Sequence, residues 1–561
     1  MKKEISVEKR LKKLYPESSE YLLKKIKEKV NKFNDSIENT NSYELNENKS
    51  ILITYGDSIK DESHSLNVLE KFMEEFVGDS INTVHILPFF PYSSDDGFSV
   101  VDYKKVNPDL GTWEDIKNFS KHYYLMFDAV VNHISSQSDW FKGFLRNDPK
   151  YDDYFITVDK NTDLSSVTRP RALPLLTKFD TPEGEKYVWT TFSEDQIDLN
   201  YKNPELLLDI INVLLFYVKN GASLLRLDAI GYIWKEVGTS CIHLEQTHEL
   251  IKLFKDIFDS IKGQVIIITE TNVPHKENVS YFGNGEDEAQ MVYNFSLPPL
   301  VLNAYQINSS KHISKWASGL EYPSDKTTFF NFLASHDGIG LMPVKGILSD
   351  VEIDNLIKKV EKNNGKVSYK TNSDGTQSPY EMNINYFDAL YDERDSIKEN
   401  INKFLGAYFI AFSLRGIPGI YIHSLIGSRN WAQGVKELGY NRAINREKLN
   451  YENLKKEIEK KGSFRNQIFY SMKHLLEIRK NHKAFSPKSG QEILSICDQV
   501  FAIKRFCEEE TIVAIANLSK EEVTINLNEI SNDNSATEII KGKEIKNKIS
   551  IEPYGYTWVK I

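Results

Sequence analysis

The feature that most constrains this chain is a strand–helix alternation that starts at Ile51 and comes round eight times. Short apolar runs suited to buried strands stand at Ile51–Tyr55, Val84–Pro88, Tyr124–His133, Ala222–Asp228, Gln264–Glu270, Met291–Phe295, Thr327–Leu333 and Ile417–Ile422. Segments of helical period separate them: Ser65–Val77, Trp113–Lys121, Pro204–Lys219, Thr247–Ile261, Ile401–Leu414 and Ser463–Lys480. Strands that alternate with helices predict parallel pairing, and eight such units predict a closed (β/α)8 barrel over 48–483. Two polar stretches, about 139–200 and about 341–400, interrupt the rhythm and are expected to be inserted subdomains. Past residue 484 the helical period stops. Val500–Lys504, Thr511–Ile515, Val523–Leu527 and Tyr556–Lys560 then predict a C-terminal all-β domain over 484–561.

Residues 1–47 form a helical extension in this reading. Leu22, Leu23, Ile26, Val30 and Phe33 recur at three- and four-residue spacing, one apolar face of a helix. Its basic side could meet a membrane or a partner, but packing on its own barrel is the simpler expectation.

Composition narrows the partners. A net charge of −10 argues against a nucleic-acid ligand, which needs a basic face. The three cysteines, Cys241, Cys497 and Cys507, are an odd number with no close pair, so neither a disulfide framework nor a zinc site is expected. That usage fits a reducing cytoplasm. No apolar segment has signal-peptide or membrane-spanning length.

Polar residues gather where the strands end. Asp128, Asn132 and His133 close the third run, Arg226 and Asp228 the fourth, Glu270 the fifth, and His336 and Asp337 the seventh. Ser93-Ser-Asp-Asp-Gly-Phe98 follows the second and holds Asp95. Barrel enzymes carry their chemistry at this rim. Three carboxylates there suit retaining glycoside chemistry, in which a nucleophile and an acid/base stand about 5–5.5 Å apart. Arg226, two residues before Asp228 and on the same strand face, is expected to keep that carboxylate ionised. Glu270 follows an apolar strand, where burial can raise its pKa for acid work.

Asp128-Ala-Val-Val-Asn-His133, Arg226-Leu-Asp-Ala-Ile-Gly-Tyr232, Glu270 and Ser335-His-Asp337 resemble the four conserved regions of the α-amylase superfamily, glycoside hydrolase family 13. Leu87-Pro-Phe-Phe-Pro-Tyr-Ser-Ser-Asp-Asp-Gly-Phe98, Lys235-Glu-Val-Gly-Thr-Ser-Cys241, Asn294-Phe-Ser-Leu-Pro-Pro299 and His336-Asp-Gly-Ile-Gly340 resemble its sucrose-phosphorylase group. The resemblance implies Asp228 as nucleophile, Glu270 as acid/base and Asp337 as transition-state stabiliser. It implies Asp95 and Arg446 as a pair gripping the far side of the glucosyl unit, with His133, His336 and Arg226 as further glucose contacts. Phe98 and Tyr232 become hydrophobic walls, and Arg171 becomes a phosphate contact.

On the acceptor side, His243-Leu-Glu-Gln-Thr-His248, Tyr380-Glu-Met-Asn-Ile-Asn-Tyr-Phe-Asp388 and His423-Ser-Leu-Ile-Gly-Ser-Arg-Asn430 resemble a branch of that group. The branch contains glucosylglycerate and sucrose 6′-phosphate phosphorylases. Asn383 stands where sucrose phosphorylase has an acidic fructose contact. Arg429 either takes an anionic acceptor or forms a rim salt bridge. The resemblance therefore implies phosphorolysis of an α-glucoside to α-glucose 1-phosphate, with 2-O-α-glucosylglycerate as the expected donor. Sucrose 6′-phosphate, sucrose and glucosylglycerol are alternatives, and hydrolysis is a further one. Inorganic phosphate is the co-substrate, with no metal or organic cofactor. Asn132 alone matches a calcium ligand of some amylases. A monomer or a homodimer is expected.

Overall fold

The computed structural model describes residues 2–37, 42–170, 173–372, 376–531 and 535–561. Eight strands run in chain order: β1 Ile51–Thr54, β2 Thr83–Ile86, β3 Tyr124–Ala129, β4 Ala222–Leu227, β5 Ile266–Thr269, β6 Met291–Tyr293, β7 Thr328–Phe332 and β8 Ile417–Tyr421. All pair in parallel, and β8 closes the barrel on β1 through Ile51 opposite Gly419. Both faces of these strands are covered, by helices outside and packed side chains inside. They therefore read as unbroken apolar runs rather than as alternating ones. Gly419 is required by that packing, since a Cβ there would lie 2.4 Å from the Phe330 ring of β7. Each strand is shorter than the apolar run that foretold it. The leftover residues at the C-terminal ends, Glu270 among them, are released from the ladder into the rim.

The main helices are α1 Lys2–Leu14, α2 Ser19–Asp35, α3 Ser65–Phe72, α4 Trp113–His122, α5 Pro204–Lys219, α6 Glu245–Phe258, α7 Leu297–Ile307, α8 Ile397–Ser413 and α9 Phe464–Arg479. Several start on caps written in the sequence. Asn203 accepts from the amides of Glu205 and Leu206, with Pro204 in the first turn, and Ser396 forms a reciprocal capping box with Glu399. The fifth unit departs from the rhythm: β5 is followed by the five-residue helix His275–Val279.

The N-terminal extension is two helices rather than one. Leu22, Ile26, Val30 and Phe33 of α2 are buried, as are Val7, Leu11 and Leu14 of α1. α1 lies along α6 and α2 along α5, so their apolar faces complete the outer helical layer. Among the described residues no helix is long and apolar enough to cross a membrane.

Between β3 and α5 the chain forms the helix Asp139–Leu145 and the hairpin Leu176–Thr181 with Gly184–Trp189. His133–Ser135 pairs with Gln196–Asp198 at its base. Between β7 and α8 it forms the helix Asp350–Lys362 and a three-stranded sheet of Ile339–Gly340, Gln377–Asn383 and Lys366–Thr371. After α9 a six-stranded antiparallel sheet and a two-stranded one make the C-terminal β unit, anchored to α8 by Trp558 Nε1 donating to Ser413 Oγ at 2.8 Å.

Candidate active site

Strand register sets the centre of the site. Asp128 of β3 is level with Arg226 of β4, and the last ladder pair of β4 and β5 is Leu227 with Thr269. The next residues, Asp228 and Glu270, therefore leave adjacent strands side by side. Adjacent strands are about 4.8 Å apart, close to the spacing of about 5–5.5 Å that a retaining carboxyl pair needs. Ala229 then takes a left-handed backbone (φ 47°) that turns the chain away, and its amide donates to Glu270 Oε2 at 3.1 Å. A non-glycine residue there costs about 1–2 kcal/mol, so its surroundings hold it in place.

Arg226 lies fully buried beneath these groups. Nη1 donates to the Asp128 carboxylate and stands 2.7 Å from Asp228 Oδ1, while Nη2 is 3.9 Å from Glu270 Oε2. Asp128 also meets His85 Nε2 at 2.7 Å. Arg226 favours the ionised form of Asp228, as expected, but it works against burial. Burial raises the Asp228 pKa above its ordinary value, and Arg226, shared with Asp128, and His133 only partly offset that. Burial lifts Glu270 to about 7, against the pull of Arg226 and with help from the Asp228 charge. Asp337 goes the other way. Burial pushes it up, but Arg442 at 2.7 Å, with Arg226 and Arg446 further off, holds it well below the carboxylate range. Burial thus raises both Asp228 and Glu270, the latter into the neutral range, while Asp337 is held firmly as an anion.

Asp95, Phe98, His133, Asp228, Tyr232, Glu270, His336 and Asp337 line one cavity at the rim. Phe98 stacks on His336 with ring centres 4.7 Å apart, and burial lowers His336 to about 3, so it is neutral. His133 Nε2 meets the Phe98 carbonyl at 2.9 Å.

Three expected site residues besides the buried Arg226 stand outside the cavity lining. Arg446 is not among the residues lining the cavity, while Asp95 is: Arg446 Nη1 meets Asp96 Oδ2 at 2.5 Å, and Nε donates to the His336 carbonyl at 2.8 Å. Asp95 and Asp96 are both left-handed (φ 52° and 48°), which splits the two carboxylates; Asp95 Oδ2 lies 3.4 Å from Gln196 Nε2. Asn383 is buried at the end of its strand, two residues beyond Glu381, and donates to Ser368 Oγ at 2.9 Å, outside the cavity lining. Arg429 is the salt bridge, not an acceptor contact, with Nε 2.6 Å from Asp388 Oδ1. Arg171 lies outside the described residues.

The cavity also contains residues that sequence reasoning did not single out: Phe192, Gln196, His243, Asn272, Glu381 and Arg442. Arg442 forks onto Glu381 through Nε and Nη2, both at 2.9 Å. His243 and Glu381 lie inside the family-like segments quoted above, so the signal was the segment rather than the residue. Arg442 repeats the Arg446 signal four residues earlier. Asn132 Oδ1 accepts from Lys235 Nζ at 2.7 Å, and the same buried ammonium is 2.5 Å from Asp198.

Residues 77–342 match the family model described as the alpha amylase catalytic domain. Glucosylglycerate phosphorylase of Allomeiothermus silvanus is 51% identical over 453 residues, 80% of this chain and 81% of that protein. The Escherichia coli glucosylglycerate phosphorylase is 44% identical over 517 residues, 92% of each chain. Among solved structures, sucrose 6F-phosphate phosphorylase from Thermoanaerobacter thermosaccharolyticum superposes with a TM-score of 0.76 at 25% identity, over 90% of this chain and 99% of that one. The chain belongs to the α-amylase superfamily, glycoside hydrolase family 13, and within it to the sucrose-phosphorylase group.

Proposed function

We propose that this protein is a retaining α-glucoside phosphorylase that converts 2-O-α-glucosylglycerate and inorganic phosphate to α-glucose 1-phosphate and glycerate. The observation that carries the reaction is the meeting of Asp228, Glu270 and Asp337 in one cavity, with a pKa of about 7 on Glu270. The acceptor is carried by the likeness, at 44–51% identity over most of the chain, to glucosylglycerate phosphorylases.

Asp228 attacks the anomeric carbon as Glu270 protonates the departing glycerate oxygen, giving a β-glucosyl-enzyme. Phosphate then attacks the same carbon from the vacated face, and Asp228 leaves as the carboxylate. Two inversions give net retention. Phosphate needs little deprotonation at neutral pH, so the second step asks less of Glu270 than water would. Asp337, held anionic by Arg442, opposes the positive charge that develops on the sugar ring. The three unpaired cysteines suit a cytoplasmic protein.

A panel of α-glucosides with phosphate tests this reading, scored for glucose 1-phosphate. Glucosylglycerate is expected to lead. Faster turnover of sucrose 6′-phosphate, sucrose or glucosylglycerol would move the acceptor, and free glucose without phosphate consumption would make the protein a hydrolase.

A further inference from the structure

We propose that His243 is an acceptor-selecting residue and that the N-terminal helix α1 acts as its positioning brace; this rests on the phosphorylase reading above. His243 lines the cavity, and its ring lies against Gly231, three residues beyond Asp228, where a Cβ would come within 3.3 Å of it. Nδ1 is taken by the Tyr281 hydroxyl at 2.6 Å, and Nε2 has no protein partner among the described residues. Tyr281 is buried and keeps its proton, so it can donate to Nδ1. The imidazole then carries its own proton on Nε2 and offers a donor. Burial lowers the His243 pKa to about 4, so this neutral form holds at working pH. In a cavity crowded with carboxylates, an anionic aglycone such as glycerate needs such a donor.

The backbone here is strained. Cys241 and His243 are both left-handed (φ 51° and 55°), and α6 begins two residues later with no side-chain cap from Leu244. Such conformations persist only where the surroundings over-determine them. The surroundings form a continuous chain of contacts that starts in α1. Arg10 Nη1 pairs with Glu249 Oε2 at 3.1 Å, and Lys13 pairs with Glu245 and with Glu249 at 3.2 Å, both in the first turns of α6. Lys252 links Glu249 (3.7 Å) to Glu288 (3.5 Å), and Glu288 holds His248 Nδ1 at 2.8 Å. The His248 ring stacks on Tyr281 with centres 4.7 Å apart, and Tyr281 holds His243. Glu249 and Glu288 are largely buried, which shields their ion pairs from salt.

The test runs the reaction backwards, from α-glucose 1-phosphate and D-glycerate, and separates glycerate KM from kcat. His243→Ala is expected to raise glycerate KM about tenfold, the loss of one hydrogen bond. Arg10→Gln with Lys13→Gln is expected to raise it about fivefold. Its kcat at saturating glycerate and its hydrolysis of glucose 1-phosphate without glycerate should stay unchanged, and Arg10→Lys with Lys13→Arg should recover most of the effect. Adding the α1 pair of changes to His243→Ala should add nothing, because both act through one side chain. A parent inert toward glycerate would count against the phosphorylase assignment. A working parent whose variants keep its glycerate KM, or lose kcat, hydrolysis and KM affinity together, would overturn the brace.

Discussion

The two sides of the catalytic cavity are built differently. The deep side is made of residues that end or directly follow barrel strands, and strand register places them. Asp128 faces Arg226 across one strand pair, and Asp228 stands beside Glu270 across the next. The outer side is made of segments that cross from elsewhere: Glu381 on the sheet after β7, Arg442 before α9, and His243 on a left-handed loop. Register is a hydrogen-bonded property of the backbone and tolerates little error. Loop placement rests on side-chain pairs such as Arg442 with Glu381, which can exchange partners. Chemistry common to a superfamily therefore sits on the ladder, and discrimination between acceptors sits on the loops.

The largest expected effect lies on the ladder side. Asp228→Asn should lower turnover of the glucoside by about 10⁴-fold or more, since it removes the nucleophile while keeping the shape. Digestion of parent enzyme trapped with a slow donor should give a glucosylated peptide containing Asp228, absent from the variant. Turnover within tenfold of the parent would dissolve the contrast, because the ladder would then hold no chemistry.

Glu270 gives the next effect, and its sign follows from the raised pKa. Departure of glycerate needs protonated Glu270, and the protonated fraction falls as pH rises through about 7. The kcat/KM for glucosylglycerate should then drop tenfold per pH unit on the alkaline side. A donor whose leaving group needs no proton, such as α-glucosyl fluoride, should lack that limb. Glu270→Gln should cost about 10²–10⁴-fold on glucosylglycerate and far less on the fluoride. Equal losses on both donors would move the proton donor elsewhere.

Arg442 belongs to both sides, because it touches Asp337 and Glu381 at once. Arg442→Gln should lower turnover about 10²-fold by leaving two buried carboxylates without their cation. Asp337 works as an anion and is held low chiefly by this arginine against its burial. Losing Arg442 raises its pKa, so the acid limb of the pH profile should move to higher pH. An unmoved acid limb would show that Asp337 does not depend on the outer side.

The contrast also explains what the sequence disclosed. The barrel was legible because strands buried on both faces and amphipathic helices leave different periods, and the trio was legible because strand ends are marked by charge breaking an apolar run. Asp228 and Glu270 were found that way. Glu381, two residues before Asn383 on the same strand, meets the cavity instead, since nothing in the residues shows how far along a short insert strand the cavity reaches. That Arg446 meets Asp96 could not be foreseen, because two left-handed residues in succession cannot be read from Asp-Asp-Gly alone. α1 escaped notice because its apolar residues, Val7, Leu11 and Leu14, are few and set among lysines.

Arg429 supplies the smallest effect and the sharpest check on where the outer side ends. It resembles an acceptor residue by charge and by its place near family-like segments. Its guanidinium instead sits about 5 Å from the rings of Phe387 and Tyr391, and its Nε meets Asp388, whose other oxygen accepts from the Asn430 amide at 2.6 Å. Asp388 is nearly buried while Arg429 is half exposed, so the arginine serves the carboxylate rather than a ligand. Arg429→Gln should lower stability by about 1 kcal/mol, because the amide keeps some packing and the Asn430 amide still donates to Asp388. Glycerate KM should stay within twofold of the parent. A tenfold rise in that KM with unchanged stability would place Arg429 among the acceptor contacts and carry the outer side beyond the cavity that Glu381 and Arg442 now bound.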